Sequence, residues 1–230
     1  MVNEDILSKS TIGVRRLKDR KELLILGKYN LPTAISLLGL FFSFGAIIFS
    51  FTHYFNYAIV CLIFSGLSDF FDGFIARKLD LSEEERSFGT QIDSLIDIVS
   101  FGISPILFFL NLGLTHRYDL GLFFIYLSCA AIRLAHFNIH GLNESKRAKY
   151  FTGLPVTYAA LIFPLVYVME TFVENLTFVV IVRTTFIIVS ILFITKIPTP
   201  KPSGVFYVIF PLIAVLLTFY FLSTPDSISR

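Results

Sequence analysis

Two apolar stretches of this chain each carry a pair of aspartates. Asp69 and Asp72 lie in S-D-F-F-D-G-F-I-A-R, and Asp93 and Asp97 in F-G-T-Q-I-D-S-L-I-D. A carboxylate in bilayer hydrocarbon costs about 3 kcal/mol even on the most lenient scale, so acids inside membrane spans mark function by default. Asp69, Asp72, Gly73, Ala76 and Arg77 recur at i, i+3, i+4, i+7 and i+8, one face of a helix. Gly89, Asp93 and Asp97 recur at i, i+4 and i+8, again one face. Two such faces turned toward each other make an oxygen-rich cluster suited to a hard cation such as Mg²⁺, Mn²⁺ or Ca²⁺. The plainer reading is a set of buried ion pairs. It needs basic partners, and Arg77 is the only one on the two faces.

The elements that must position these acids are membrane helices. Hydrophobic residues make up 55% of the chain and charged residues 16%, which sets it apart from soluble globular domains. About 20 apolar residues cross a bilayer, and seven such stretches are expected, at 31–51, 55–77, 88–111, 119–139, 154–172, 177–195 and 204–222. Residues 1–30 are rich in charge and lack an apolar core, so no cleavable signal peptide is expected. With a cytoplasmic N-terminus, fifteen lysines and arginines fall on the cytoplasmic side, among them Lys28, Arg77, Lys78, Arg86, Lys146 and Lys196; only Arg117 and Arg230 fall on the other. That asymmetry puts the aspartates near the cytoplasmic face. At 1.5 Å per residue, Asp69 lies about 12 Å from the end of its span, and Asp97 about 14 Å from the start of the next. Such a depth suits the polar part of a lipid head group.

The flanks are less specific. Residues 13–27 mix leucines with basic residues and read equally as an interfacial helix or an ordinary positive-inside flank. Pro32 suits an early helical position. Glu83, Glu84 and Glu85 read as a solvated loop between the second and third spans, and Lys196 to Pro202 as a proline-rich break. Cys61 and Cys129 read as small core residues. The expectation is one all-α integral membrane bundle of six core helices plus a C-terminal span, with basic residues 1–29 before it and residues 201–230 carrying the last span and tail.

Gly73 and Ala76 leave no bulk beside the acids, which permits either close approach of a substrate or close helix packing. Arg77 could hold a phosphate or anchor the span. Arg133, inside the fourth span, could reach the same cavity and bind an acceptor carboxylate or a lipid phosphate, or snorkel to the interface. Arg183 is an anchor without an assigned partner, and His136 and His140 read as packing or interfacial residues.

Asp69-x2-Asp72-Gly73-x2-Ala76-Arg77, followed by Gly89-x3-Asp93-x3-Asp97, resembles the signature of the CDP-alcohol phosphotransferases, integral membrane enzymes of phospholipid synthesis. The Arg77–Gly89 spacing is longer than is usual there. Asp93 to Pro105, Arg133 to Asn138 and Phe151 to Pro155 are similar to bacterial and archaeal phosphatidylserine synthases within that family. The resemblance covers residues 30–200. It implies transfer of the phosphatidyl group of CDP-diacylglycerol to L-serine, with release of CMP, at the cytoplasmic side of the cytoplasmic membrane. It implies two divalent cations, Mg²⁺ or Mn²⁺, on Asp69, Asp72 and Asp93, with Asp97 as general base that also touches metal. Gly73, Ala76, Arg77 and Gly89 would line the nucleotide pocket, and Arg133 would meet the acceptor. It further implies a homodimer among membrane lipids, with no nucleic-acid partner. The same chemistry on another acceptor alcohol is the nearest alternative. A cation transporter is more remote, since that reading predicts midplane acids, repeated halves and interrupted helices.

Overall fold

The computed structural model describes residues 27–144, 150–200 and 206–224. The basic segment read as an interfacial helix therefore lies, except for Gly27, outside the described residues, as do Lys146, Arg147 and Lys149. The first helix, α1 (Leu31–Phe51), starts where Asn30 accepts a hydrogen bond from the Thr33 amide at 3.0 Å, with Pro32 in the first turn. After it come α2 (Phe55–Ala76), α3 (Glu83–Asp97), a π-helical turn (Ile98–Ile103) and α4 (Ser104–Asn111). Next are α5 (Arg117–Glu144), α6 (Ala159–Val168, with short 3₁₀ turns at both ends), α7 (Asn175–Ile194) and α8 (Phe206–Ser223). Five passes are long and apolar enough to cross a bilayer; Val156–Thr171 and Val208–Ser223 are apolar but shorter. The expected all-α membrane architecture is the one observed; where seven spans were expected, five helices among the described residues reach spanning length and two further apolar helices are shorter.

One boundary differs. Glu83, Glu84 and Glu85 are helical, not a loop: they form the first turn of α3. Ser82 and Glu85 close a reciprocal capping box, and three carboxylates at a helix N-terminus favour the helix dipole. The added residues between Arg77 and Gly89 thus contribute a helical turn. Lys28 reaches Glu84 at 3.2 Å, which fixes the N-terminal flank beside this turn.

Contacts between loops show which ends of the helices lie together. A short antiparallel ribbon pairs β1 (Tyr150–Thr152) with β2 (Pro198–Pro200), joining the segments after α5 and α7. On the opposite side Asn56 donates to the Thr224 carbonyl at 2.8 Å, and the Thr171 and Tyr220 hydroxyls meet at 3.0 Å. Also on that side, Arg183 of α7 forms a two-pronged pair with Asp119 of α5 at 2.7 and 3.1 Å. Arg183, an unassigned anchor on sequence grounds, thus has a fully buried partner, and the Tyr118 ring lies 4.6 Å from its guanidinium carbon.

The core between α2, α4, α5, α6 and α7 is aromatic. Phe109, Tyr126, Phe163 and Phe186 meet at ring separations of 4.7 to 5.7 Å, mostly edge-on or tilted. Against this core, α1 presents a stripe of Ser36, Gly39, Ser43, Ala46 and Ser50, all buried, with Phe41, Phe44 and Phe51 outward. Small and hydroxylated residues let backbones approach where lipid supplies no hydrophobic drive for association.

Candidate active site

The site is built where the final turns of α2 meet the end of α3. Carboxylate oxygens of Asp69, Asp93 and Asp97 lie within 4.8 Å of one another. Asp72 is buried one turn from Asp69, and its Oδ2 accepts a hydrogen bond from Ser36 of α1 at 2.5 Å. All four acids line one cavity of about 220 Å³. Asp97 is buried, and its Oδ1 has no hydrogen-bond partner among the described residues. Three carboxylates this close repel strongly in a low-dielectric interior. An all-oxygen donor set with an orphaned buried oxygen fits a hard divalent cation, as the spacing of the aspartates suggested.

Below the acids lies a layer of serines. Ser43 of α1 hydrogen-bonds Ser65 of α2 at 2.7 Å and Ser100 of the π turn at 2.5 Å. These hydroxyls pin three helices together where the carboxylates converge. The π turn itself follows from Pro105, which has no N–H to offer the Phe101 carbonyl four residues back. The buried Tyr126 hydroxyl donates to that carbonyl at 2.6 Å, and Ser104 Oγ donates to the Val99 carbonyl at 3.0 Å. The widened turn begins at Ile98, directly after Asp97.

The glycines separate two roles. A Cβ on Gly66 would lie 2.4 Å from the Ala160 Cβ, so Gly66 is a packing glycine between α2 and α6. A Cβ on Gly73 or Gly89 would meet nothing within 4 Å. Close helix packing therefore does not explain Gly73, which faces the cavity and leaves it open. Arg77 is exposed on the same cavity wall, whereas Ala76 and Gly89 are not part of that wall.

Arg133 reaches the cavity from α5 and is 6% exposed. Its Nε donates to the Leu154 carbonyl at 3.0 Å and its Nη2 to the Gly153 carbonyl at 3.2 Å. Gly153 has φ +82°, and a Cβ there would lie 2.7 Å from the Thr195 carbonyl oxygen, so glycine is required at this turn. Arg133 thereby holds the segment leading to Pro155, Val156, Thr157 and Tyr158, which form the opposite wall.

Sequence reasoning missed several of these residues. Ser36 had a legible signal, since Ser36, Ser43 and Ser50 repeat every seven residues along an otherwise apolar span. Phe210 had none. It comes from α8, stacks on Phe70 at 5.3 Å and completes the cavity wall.

The profile of the CDP-alcohol phosphatidyltransferase family matches residues 29–220. The chain belongs to this family. The match extends past residue 200 and takes in most of α8, the helix that supplies Phe210. An archaetidylserine synthase of Methanothermobacter thermautotrophicus is 29% identical over 176 residues, covering 76% of this chain and 71% of that protein. A CDP-diacylglycerol–serine O-phosphatidyltransferase of Methanocaldococcus jannaschii is 32% identical over 159 residues, 68% of each chain. The Saccharomyces cerevisiae enzyme of the same name is 32% identical over 121 residues, and there the match spans only 43% of the relative's length.

Proposed function

We propose that this protein transfers the phosphatidyl group of CDP-diacylglycerol to the hydroxyl of L-serine, giving phosphatidylserine and CMP. The observation that carries the reading is the convergence of Asp69, Asp93 and Asp97, with Asp72 beside them, on one cavity. Family membership and the serine-specific names of the relatives support it.

Asp69, Asp72, Asp93 and Asp97 would hold divalent cations, Mg²⁺ or Mn²⁺ and two per protomer on the family's pattern, which when bound offset the diphosphate charge and polarise the reacting phosphorus. The chain's own residues do the rest. Gly73 leaves room for the nucleotide, and Arg77 at the mouth offers a charge-assisted contact to phosphate. Ala76 and Gly89, which the resemblance puts in the nucleotide pocket, flank these positions on α2 and α3. Ser36 and the serine layer keep the carboxylates in register. Asp97 Oδ1 is the proposed acceptor of the serine hydroxyl proton. As the serine oxygen bonds to the lipid-side phosphorus, the bond from that phosphorus to the CMP oxygen breaks.

Arg133 is the proposed partner of the serine carboxylate. A guanidinium is a planar fork whose geometry matches a carboxylate, and Arg133 lies on the cavity wall that the acids share. Among the described residues the cavity wall carries two basic side chains, Arg77 and Arg133. An acceptor bearing its own phosphate needs more positive charge than Arg133 supplies, which favours serine over glycerol phosphate or inositol phosphate. The reading includes a homodimer in the cytoplasmic membrane with the cavity facing the cytoplasm; the lysine and arginine asymmetry supports that orientation.

The test is an acceptor panel on purified protein with Mg²⁺ or Mn²⁺ and either CDP-diacylglycerol or its diether analogue. The expected result is phosphatidylserine, or its ether counterpart, formed in step with CMP when L-serine is offered. Preferential use of inositol phosphate or glycerol phosphate would overturn the serine assignment.

A further inference from the structure

A second cavity, of about 100 Å³, shares Arg133 with the first. Its wall includes Arg133 and His136 from α5, then Thr195 and Lys196 at the end of α7. Arg133 and His136 are three residues apart and share a helix face. Three basic side chains thus converge on one notch, and no acidic side chain is on its wall among the described residues. Ile132 and Ile194, also on this wall, are 60% and 54% exposed. On a membrane helix such isoleucines face acyl chains.

We propose that this notch binds the phosphate of an anionic glycerophospholipid from the surrounding membrane. His136 and Lys196 meet the phosphodiester, and the acyl chains run along Ile132 and Ile194. Basic residues at the head-group level attract anionic lipid. The notch opens beside exposed isoleucines, which a lipid covers and free phosphate does not. Arg133 connects this site to the reaction, because it also holds the Gly153 and Leu154 carbonyls ahead of the Pro155–Tyr158 wall. Lipid in the notch therefore steadies that wall and raises turnover, a consequence that rests on the proposed phosphatidyl transfer.

The experiment uses the full chain reconstituted in phosphatidylcholine nanodiscs, with and without phosphatidylglycerol. Binding of spin-labelled phosphatidylglycerol is measured directly, apart from any activity. The wild type is expected to immobilise the labelled lipid and to turn over several-fold faster with phosphatidylglycerol. The double variant His136→Gln, Lys196→Gln is expected to keep the rate in pure phosphatidylcholine and lose both effects. Equal lipid immobilisation by wild type and variant would overturn the site. If inorganic phosphate displaces the labelled lipid and stimulates as well as it does, the notch is a free-anion site and the lipid assignment fails. Lipid binding without serine transfer in any sample would leave the site standing and count against the catalytic reading alone.

Discussion

Ser36 Oγ donates to Asp72 Oδ2 at 2.5 Å, a bond from the first helix to the one acid that stands outside the converging three. The Pro32 carbonyl, at 3.2 Å, is the alternative acceptor for the same hydroxyl proton, and the carboxylate is the nearer of the two. The arrangement makes α1 a support for the acid cluster although it supplies none of the acids. Partners of this kind orient carboxylate ligands, and their loss typically weakens metal affinity about 10- to 100-fold.

Ser36→Ala should therefore shift the Mg²⁺ or Mn²⁺ concentration needed for half-maximal transfer upward by about 10-fold or more. Saturating metal should restore much of the rate, and Ser36→Thr should lie between the two. A metal titration of purified variants checks this; an unchanged midpoint would remove Ser36 from the site.

Gly73 and Gly66 should respond in opposite ways. Gly73→Val places its side chain into open space, so the protein should fold with near-normal thermal stability and bind CDP-diacylglycerol poorly. Gly66→Val collides with Ala160 and should destabilise the fold by about 1–3 kcal/mol through overpacking. Melting curves in detergent, read alongside the KM for the nucleotide lipid, distinguish a ligand-facing glycine from a packing one.

Much of this was legible in the sequence because membrane helices advertise themselves. The bounds of α1 follow from Asn30-x-Pro32 and the apolar run, and the acid faces from their helical spacing. What was hidden depends on distant parts of the chain. Asp119 carries no sign that Arg183, far away on α7, will meet it. Phe210 is one phenylalanine among 27, and only the packing of α8 on α2 brings it to Phe70. The glutamates that open α3 misled for a physical reason: acids favour a helix N-terminus as readily as a loop, and the Ser82–Glu85 capping box decided between them.

The Asp119–Arg183 pair should act on stability and not on chemistry. Asp119→Ala leaves the partly exposed arginine without its carboxylate and should cost about 1–3 kcal/mol, the usual effect of orphaning a part-buried polar group. The double variant Asp119→Ala, Arg183→Leu should recover part of that loss. The KM for serine in surviving protein should remain at the wild-type value; a selective rise would tie the pair to the acceptor site.

Sidedness can be read from cysteine labelling on a background lacking Cys61 and Cys129. Ser82→Cys shares a side with the acid cavity, and Thr115→Cys lies at the other end of the bundle. In intact cells an impermeant thiol reagent should modify the Thr115 position and spare the Ser82 position until the membrane is opened. The reverse pattern would invert the orientation drawn from the basic residues.

The most direct test of the central claim is the divalent-cation dependence of labelled-serine transfer by wild type beside Asp97→Asn. The wild type should be inactive with chelator and saturate with added Mn²⁺ or Mg²⁺, while Asp97→Asn should bind CDP-diacylglycerol yet show no transfer at any metal concentration. Transfer that survives chelation, or near-wild-type turnover by Asp97→Asn, would contradict the assignment of the aspartate cluster as the reaction centre.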